Sequence, residues 1–413
     1  MFEKWFNSHV LCLCNVGCML PTNIELEKRL GLLYYVTSTD GVGGRIRGDI
    51  EDFRVVEDSE ISLDSRGEHL VLVIEKRDVT TDFVIRHISK ILGLDRKFIG
   101  FAGIKDSRAV AVQKFSIPFK EDIDVRKFDI IGKVKVIEAY RTSKKIRLGM
   151  LKGNYFEITL RNCIPSMQLI ESTLRELNVL GCPNYFGYQR FGTRRFNTHL
   201  LGKHLLKKEY EMFFEELIYK VYPDESAKAK ECRTLAREGL LKEAYNMMPK
   251  KLWIEKKVLN MMLKNFPPQK IIRSLGRSLL KFYVNAYQSY LFNLMVSERI
   301  ARGLPLNRLV EGDFVKGGSP ALPILGFKSK LPEGEAGKIV KDVIECENLE
   351  LGVFNNRGLG LKVKGSLRKV NLNYRNLEFS NVGADALKFF FWLEKGCYAT
   401  ILLREFCKNE FYK

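Results

Sequence analysis

The sequence predicts an α+β protein in which a mixed, mainly antiparallel sheet domain is interrupted by a middle domain of mixed α/β structure. The chain has 413 residues, which is too long for one ordinary hydrophobic core and favours two domains. Short apolar segments with strand-like alternation dominate up to about residue 160. Helical spacing follows after about Leu205, and apolar strand-like segments return near the C-terminus. The two end regions resemble each other more than they resemble the middle, so we expect an outer domain that is split in sequence.

The first region begins with a short helix and continues mainly as strands. Thr22–Gly31 has helical spacing, and Gly41–Gly44 marks a loop. Thr80 or Thr81 is placed to cap a second helix, which Gly93 would close. The predicted strands suggest a largely antiparallel sheet with helices on one face. They are Phe53–Val56, Leu70–Ile74, Phe98–Ile104, Val110–Ile117, Lys133–Ile137 and Tyr155–Leu160.

The middle and the tail of the chain have different compositions. Lys207–Phe266 is rich in Lys, Glu, Leu and Met with helical spacing, and a further helix is predicted over Leu280–Arg302. Gly and Pro become frequent over Gly312–Gly337, where we expect loops and short strands. In the tail, Phe389–Leu393 and Tyr398–Phe406 are apolar and are predicted as strands.

The charge balance favours a polyanionic partner. The sequence has 68 Lys+Arg against 49 Asp+Glu, a formal net charge of +19. Such an excess is typical of proteins that bind nucleic acid or an acidic membrane surface, although solubility or habitat can also produce it. No segment approaches the roughly 20 apolar residues that span a bilayer. We therefore favour nucleic acid and expect no membrane association.

Cysteine and histidine usage excludes several other classes of protein. Nine cysteines without paired spacing favour reduced thiols and a cytoplasmic location. Cys12, Cys14 and Cys18 form a cluster, but three thiols without a fourth ligand make a poor zinc site. The histidines have no ligand spacing, and the chain lacks a phosphate-binding P-loop and a dinucleotide glycine motif. We predict no metal and no cofactor.

One charged loop could carry chemistry. The segment Phe98–Ala109 predicts a strand, a glycine turn and a loop that presents Asp106. Lys105 and Arg108 flank this carboxylate, and nearby cations favour the ionised form that a nucleophile needs. The alternative is a surface turn, because Asp-Ser is common in turns.

A second candidate region, Pro183–Gly192, mixes aromatic rings, an amide and an arginine with glycine. This composition suits a pocket that stacks an extruded base on a ring and binds its edge, whereas an aromatic corner of the core is the alternative. Basic residues around both regions are either phosphate contacts or a solvated face. The candidate phosphate contacts are Arg108, Arg190, Arg194, Arg195 and Lys203.

Taken in order, several segments resemble the TruD family of pseudouridine synthases, in its archaeal branch. They span about Asn23 to Lys408, and the Phe101–Asp106 loop and the run that begins at Pro183 are the most specific. The segments are Glu51–Glu57, Gly67–Leu70, Phe101–Asp106, Leu148–Asn154, Pro183–Gly192, Tyr287–Asn293, Gly396–Thr400 and Leu403–Glu405.

The resemblance implies a fold, a substrate and a reaction. It implies a catalytic domain of the pseudouridine synthase type at residues 23–204 and 371–413, interrupted by a TRUD insertion domain at 205–370, with 1–22 as an N-terminal extension. The implied substrate is tRNA, in which uridine 13 becomes pseudouridine without any cofactor. We expect the enzyme to act as a monomer.

The resemblance also implies residue roles. Asp106 becomes the catalytic aspartate, Phe186 the ring stacked on the target base, and Asn184 a pocket residue that helps to hold the aspartate loop. Two departures from the family pattern stand out. Arg47 replaces the usual lysine, which keeps the charge but changes its geometry, and no threonine precedes Gln113. Further pocket candidates are Arg47, Lys105 and Gln113.

The route of the reaction and one rival function are left open by the sequence. The carboxylate could attack the sugar C1′, remove a proton from C2′ or attack uracil C6. The rival is a non-catalytic RNA-binding clamp or chaperone on the same fold. A nuclease is less consistent with the sequence, because neither acidic clusters nor a histidine pair is evident.

Overall fold

A computed structural model describes residues 19–119 and 123–411, in which strands occupy both ends of the sequence and helices most of the middle. The strands, in chain order, are β1 (Leu20–Pro21), β2 (Tyr34–Tyr35), β3 (Gly43–Ile46), β4 (Phe53–Ser59), β5 (His69–Arg77), β6 (Gly100–Phe101), β7 (Val110–Pro118), β8 (Val134–Thr142), β9 (Leu151–Cys163), β10 (Phe314–Lys316), β11 (Ser319–Ile324), β12 (Ser366–Lys369), β13 (Tyr374–Gly383) and β14 (Ala386–Glu394). The helices are α1 (Glu25–Arg29), α2 (Thr81–Leu92), α3 (Met167–Leu180), α4 (Thr198–Lys207), α5 (Tyr210–Phe214), α6 (Ala227–Arg237), α7 (Leu241–Met247), α8 (Trp253–Leu263), α9 (Pro268–Ser274), α10 (Arg277–Ala301), α11 (Gly334–Cys346) and α12 (Ala399–Cys407).

The chain alternates between two units in sequence. Among the described residues, the helical unit comprises 19–38 and 176–371, and the sheet unit comprises 39–119, 123–175 and 372–411. The first boundary lies between Ser38 and Thr39 and the second within α3, and α4, which packs along α10, belongs to the helical unit. The last of the three boundaries lies between Asn371 and Leu372. The names catalytic domain and insertion domain stay predictions.

The sheet unit is built on one mixed sheet. Its strand order is β13-β14-β9-β4-β7-β5-β8, with β3 beside β9 and β6 beside β7. These neighbours are antiparallel except β4 and β7, which are parallel. Buried and half-buried residues alternate along Phe53–Ser59, as expected when one face of a strand covers a core. The predicted mixed, mainly antiparallel sheet is confirmed.

Helix α2 begins and ends where the sequence predicts. The Thr80 hydroxyl accepts a hydrogen bond from the Phe83 amide at 3.0 Å, and Gly93 closes the helix in the left-handed region, with φ of 62°. Val84 and Ile88 are completely buried in the core beneath the sheet. Each such side chain contributes about 1.5–3 kcal/mol through burial.

The tail corrects one predicted strand. Ala386–Glu394 is a strand, but the segment predicted as a strand over Tyr398–Phe406 forms helix α12 instead. Every residue of α12 is buried, including Arg404 and Glu405, so no face of this mostly apolar helix is exposed to solvent. A short apolar run of this kind does not distinguish a buried helix from a buried strand.

The helical unit is organised around α10, which is 25 residues long. Most of its second half is buried, and α4 packs against it closely. Gly202 of α4 allows this approach, because a Cβ there would lie 2.1 Å from the Tyr283 carbonyl oxygen. At the far end of α10, Arg299 forms two hydrogen bonds to the Asp313 carboxylate, at 2.6 and 2.8 Å, with both side chains buried. These contacts fix the helix that carries several site residues.

Candidate active site

Asp106 lies in the loop between β6 and β7, where it makes a short ion pair. Its Oδ2 atom accepts a hydrogen bond from Arg47 Nη2 at 2.6 Å. The Asp106 side chain is 35% exposed and that of Arg47 is 15% exposed, so the carboxylate is open to solvent while its partner is largely enclosed. The predicted strand Phe98–Ile104 is reduced to Gly100–Phe101, which leaves a long loop for the carboxylate. Arg47 is thus a cationic neighbour of the Asp106 carboxylate.

Arg47 is held in an unusual conformation. It follows β3 with φ of 62°, in the left-handed region that non-glycine residues adopt only at a cost. Its guanidinium carbon lies 4.3 Å from the centre of the Phe53 ring, and this cation–π contact orients the planar guanidinium group. Arg108 approaches from the solvent side and donates to the Arg47 carbonyl oxygen at 3.3 Å. Arg108 therefore braces Arg47 rather than serving only as a free surface charge.

Gln113 anchors the aspartate loop from β7. Its amide nitrogen donates to the Gly103 carbonyl oxygen at 2.6 Å, and its amide oxygen accepts from the Thr81 hydroxyl at 3.0 Å. The same hydroxyl accepts from the Lys105 backbone amide at 3.1 Å. Gln113 is completely buried. Its geometry is that of a loop brace, and direct contact with a base stays a prediction.

Lys105 points into the sheet unit rather than into the open side of the loop. Its ammonium lies 3.5 Å from the Glu57 carboxylate and donates to the Asn154 side-chain oxygen at 2.5 Å. Burial lowers the pKa of Lys105 and raises the pKa of Glu57, because the desolvation of each charge outweighs their attraction. The residue next to Asp106 is thereby fixed to β4 and β9.

Lys76, which the sequence alone did not single out, also holds the loop. The side chain is completely buried, and its ammonium donates to the backbone carbonyl oxygen of Asp106 at 2.6 Å and to that of Val79 at 2.8 Å. Burial lowers the pKa of Lys76 to about 8. The signal was present in the period of β5, because Lys76 is in step with the buried Leu72 and Ile74.

In the helical unit, the half-buried ring of Phe186 is firmly positioned. The guanidinium carbon of Arg368 lies 4.0 Å from the ring centre, and Phe292 meets the ring edge-on at 5.7 Å. The Phe186 backbone is bound on both sides by the Asn293 amide, which accepts from its N–H at 2.7 Å and donates to its carbonyl at 3.1 Å. A fixed aromatic ring of this kind is suited to stacking on a planar base.

Asn184 is buried and binds the neighbouring strand β12. Its side-chain oxygen accepts from Arg368 at 2.7 Å, and its side-chain nitrogen donates to the Lys369 carbonyl oxygen at 3.0 Å. Asn184 therefore positions Arg368, which in turn lies over Phe186. The role of Asn184 towards the aspartate loop stays a prediction.

Comparisons with known proteins identify the family. The profile of the family described as "tRNA pseudouridine synthase D (TruD)" matches residues 29–319 and 316–406. A protein from Pyrobaculum islandicum named as a tRNA pseudouridine synthase D is 37% identical over 406 residues, covering 93% of this chain and 97% of the relative. One from Archaeoglobus fulgidus with the same name is 33% identical, covering 93% of this chain and 100% of the relative. The chain belongs to the TruD family.

A solved TruD structure also matches the fold. The crystal structure of a protein from Methanosarcina mazei, named as tRNA pseudouridine synthase D (TruD), superposes with a TM-score of 0.80 at 31% identity. The match covers 94% of this chain and 98% of that one. The family and the fold class predicted from the sequence are thereby confirmed.

The basic residues expected to contact phosphate fall into two groups in this TruD chain. Arg194 is exposed, and Arg190 lines the surface beside Phe186. By contrast, Arg195 is largely buried, where it donates to the Leu217 and Glu216 carbonyl oxygens and lies 3.7 Å from Glu255. Lys203 forms a 2.8 Å ion pair with Glu347. We assign the latter two structural roles, because their charges are already neutralised by neighbouring groups.

A basic groove runs beside Phe186 within the helical unit. It encloses about 520 Å³, and among the described residues that line it four are basic and none is acidic. Arg190 donates to the Ser289 hydroxyl at 3.0 Å, which holds its guanidinium in the groove wall. We call this surface the basic groove; its charged and aromatic members are Phe186, Arg190, Lys281, Lys362 and Lys364.

Metal-ligand clusters and membrane-spanning helices can be assessed only within the described residues. Within residues 19–119 and 123–411, no three His, Cys, Asp or Glu side chains are grouped as metal ligands would be. In the same ranges, no helix combines the length and apolar character needed to cross a membrane. Cys12, Cys14 and Cys18, the cluster noted in the sequence, lie outside the described residues.

Proposed function

We propose that this protein converts uridine 13 of tRNA to pseudouridine and that Asp106 supplies the reacting carboxylate. The observation that carries the proposal is the anchoring of Asp106. Its carboxylate is partly open to solvent, paired with Arg47 at 2.6 Å, and mounted on a loop bound from within the sheet unit. Membership of the TruD family supplies the reaction class. As tRNA is the substrate, we propose that the enzyme works in the cytoplasm. We also propose that it acts as a monomer.

Asp106 can drive the isomerisation without any cofactor. In one route, a carboxylate oxygen bonds to C1′ while the N1–C1′ bond breaks and its electron pair goes to uracil N1. The uracil then turns, C5 bonds to C1′, and the carboxylate leaves with its bonding pair; C5 loses a proton and N1 gains one. In a second route, the carboxylate removes a C2′ proton as N1–C1′ breaks, which leaves a C1′=C2′ double bond; the proton returns to C2′ as C5 bonds to C1′, and C5 then loses a proton while N1 gains one. Attack at C6 is a third. Each route is mass-neutral and redox-neutral.

The helical unit would bind the substrate base and its flanking phosphates. The uracil must leave its stack before it can react, which costs a few kcal/mol. Stacking on the fixed ring of Phe186 offsets about 1–3 kcal/mol of this cost. The basic groove would take the phosphates beside the extruded nucleotide, because Arg190 and three lysines line it together with Phe186. Arg195 and Lys203 are not part of this contact.

Replacing the carboxylate by its neutral isostere tests the proposal directly. The Asp106→Asn variant and the wild type are incubated with unmodified tRNA transcript, and pseudouridine is mapped by position. We expect wild-type product at position 13, background product from Asp106→Asn, and equal RNA affinity for both proteins. A transcript with cytidine at position 13 should give no product.

The control is Asp82→Asn, which removes an exposed carboxylate that pairs with Arg86 on α2 and should leave activity unchanged. Product formation by Asp106→Asn would exclude Asp106 as the reacting group. Product at another uridine would correct the assigned position. RNA binding by the wild type without any product would favour the non-catalytic clamp.

A further inference from the structure

Lys76 occupies a position where a charged side chain is costly. It lies on the inward face of β5, pairs with Ala111 of β7 and Val134 of β8, and is completely buried. A buried ammonium is tolerated only when its hydrogen-bonding groups are satisfied and some benefit offsets its desolvation. Packing alone therefore does not explain a lysine at this position.

The hydrogen bonds of Lys76 lead to the reacting residue. The ammonium binds the carbonyl oxygens of Asp106 and Val79, at 2.6 and 2.8 Å, and so ties the backbone of Asp106 to that of the segment after β5. The charged groups that act on it are the Asp106 carboxylate, which attracts the ammonium, and the Lys105 ammonium, which repels it. Bonds from a charged donor are about twice as strong as neutral ones.

We infer that Lys76 is a positioning residue for the reaction: its ammonium fixes the Asp106 peptide so that the carboxylate keeps its direction, and its charge adds to that of Arg47 beside the carboxylate. This inference rests on the proposed role of Asp106. The neutral amine would hold the same carbonyls more weakly and would remove one positive charge. Catalysis should therefore decline when Lys76 loses its proton, while RNA binding, which depends on other surfaces, should not.

The protonation of Lys76 gives activity and stability opposite pH dependences. Burial lowers its pKa to about 8 from an ordinary value of 10.5. Between these values the unfolded chain binds a proton that the folded chain does not, so the contribution of this group to stability rises with pH. Below a pH of about 8 the buried charge costs stability, yet it supports catalysis. A residue needed only for folding would not produce this opposition.

The test compares Lys76→Met with Lys114→Met and with the wild type. Lys114 is a matched control, because it lies in the adjacent strand β7 and its ammonium donates to the Ser59 carbonyl oxygen at 2.9 Å. Single-turnover rates of pseudouridine formation, RNA affinity and denaturant unfolding are measured from about pH 7 to about pH 9, across the window in which Lys76 titrates. The variant keeps Lys105 and the substrate, so we assign to Lys76 the fall in rate with pH that the wild type shows and the variant lacks.

We expect Lys76→Met to react about 10–100-fold more slowly at about pH 7, with RNA affinity within about twofold of the wild type. The wild-type rate should fall severalfold through a pH of about 8, and this fall should be absent from the variant. Lys114→Met should follow the wild type throughout. A Lys76→Met rate within about twofold of the wild type would overturn the inference.

If Lys76→Met does not fold, the inference is tested by the pH dependence of the wild-type single-turnover rate. A wild-type rate that is flat from about pH 7 to about pH 9 would overturn the inference without any variant. Failure of the proposed function would look different, because the wild type would then make no pseudouridine or Asp106→Asn would make it.

Discussion

The pairing of Arg47 with Asp106 allows a quantitative prediction. Two unit charges about 4 Å apart attract by about 4 kcal/mol at an effective dielectric constant of about 20. Asp106 is 35% exposed, so water replaces part of this attraction when the partner is removed. A hydrogen bond between charged groups contributes about 1.5–3 kcal/mol net, and we take about 2 kcal/mol. That free energy favours the observed carboxylate rotamer, so Arg47→Met should lower the aligned population, and the rate, by up to about 30-fold.

Arg47→Lys separates charge from shape. Lysine keeps the positive charge, but it loses the planar fork and its stack on Phe53. Because the positive charge beside the Asp106 carboxylate is kept, we expect Arg47→Lys to stay within about fivefold of the wild type.

The assay is single-turnover pseudouridine formation with enzyme in excess. The matched control is Lys388→Met, which removes a half-exposed 2.8 Å ion pair to Glu157 elsewhere in the same sheet and should have no effect. A folded Arg47→Met variant that reacts at the wild-type rate would refute the reasoning.

Three further predictions concern substitutions in the helical unit. Replacing Lys281, Lys362 and Lys364 of the basic groove by Met should reduce the slope of log K for tRNA binding against log salt concentration by about 2–3. The slope is measured by filter binding at several salt concentrations, and an unchanged slope would place the phosphates elsewhere. Arg195→Met should lower the free energy of unfolding by about 1–3 kcal/mol, because the Leu217 and Glu216 carbonyl oxygens lose a donor while Arg233 still pairs with Glu225 and Glu255, and should spare RNA affinity; the reverse result would restore its phosphate role. Phe186→Ala should slow the reaction about 10–100-fold through lost stacking, and an unaffected single-turnover rate would exclude that role.

Local patterns were enough to predict much of the sheet unit. The Thr80 cap, the Gly93 end of α2 and the strand over Val110–Pro118 follow from residues close together in sequence. The Asp106 loop was found in the same way, because a glycine turn between two apolar segments marks where the sheet presents a charged side chain. The resemblance then gave this loop a chemical role. These features depend on interactions between residues that are close together in sequence, so a single sequence is enough to predict them.

The features that the sequence did not reveal depend on tertiary burial. The helix over Ala399–Cys407 was predicted as a strand because its short apolar run fits either element, and only the tertiary structure buries Arg404 and Glu405 together with it. Arg195 was grouped with surface arginines, although Glu225 and Glu255 lie near it from distant parts of the chain. Lys76 was passed over because a lysine is normally exposed, and its inward position is evident only from the alternation of the whole strand.

Several unfavourable features of the sheet unit lie around one loop. Arg47 has a positive φ, Lys105 and Glu57 form a buried pair whose pKa shifts show costly desolvation, and Lys76 is a buried ammonium bound to carbonyl oxygens. Buried arginines in the helical unit differ, because Arg299 binds a carboxylate through two hydrogen bonds. An ammonium bound to backbone carbonyls is not neutralised in this way, so it adds net positive potential to the loop. Proteins depart from local rules mainly at functional sites. The departures converge on the backbone and carboxylate of Asp106, which is why we assign the chemistry there.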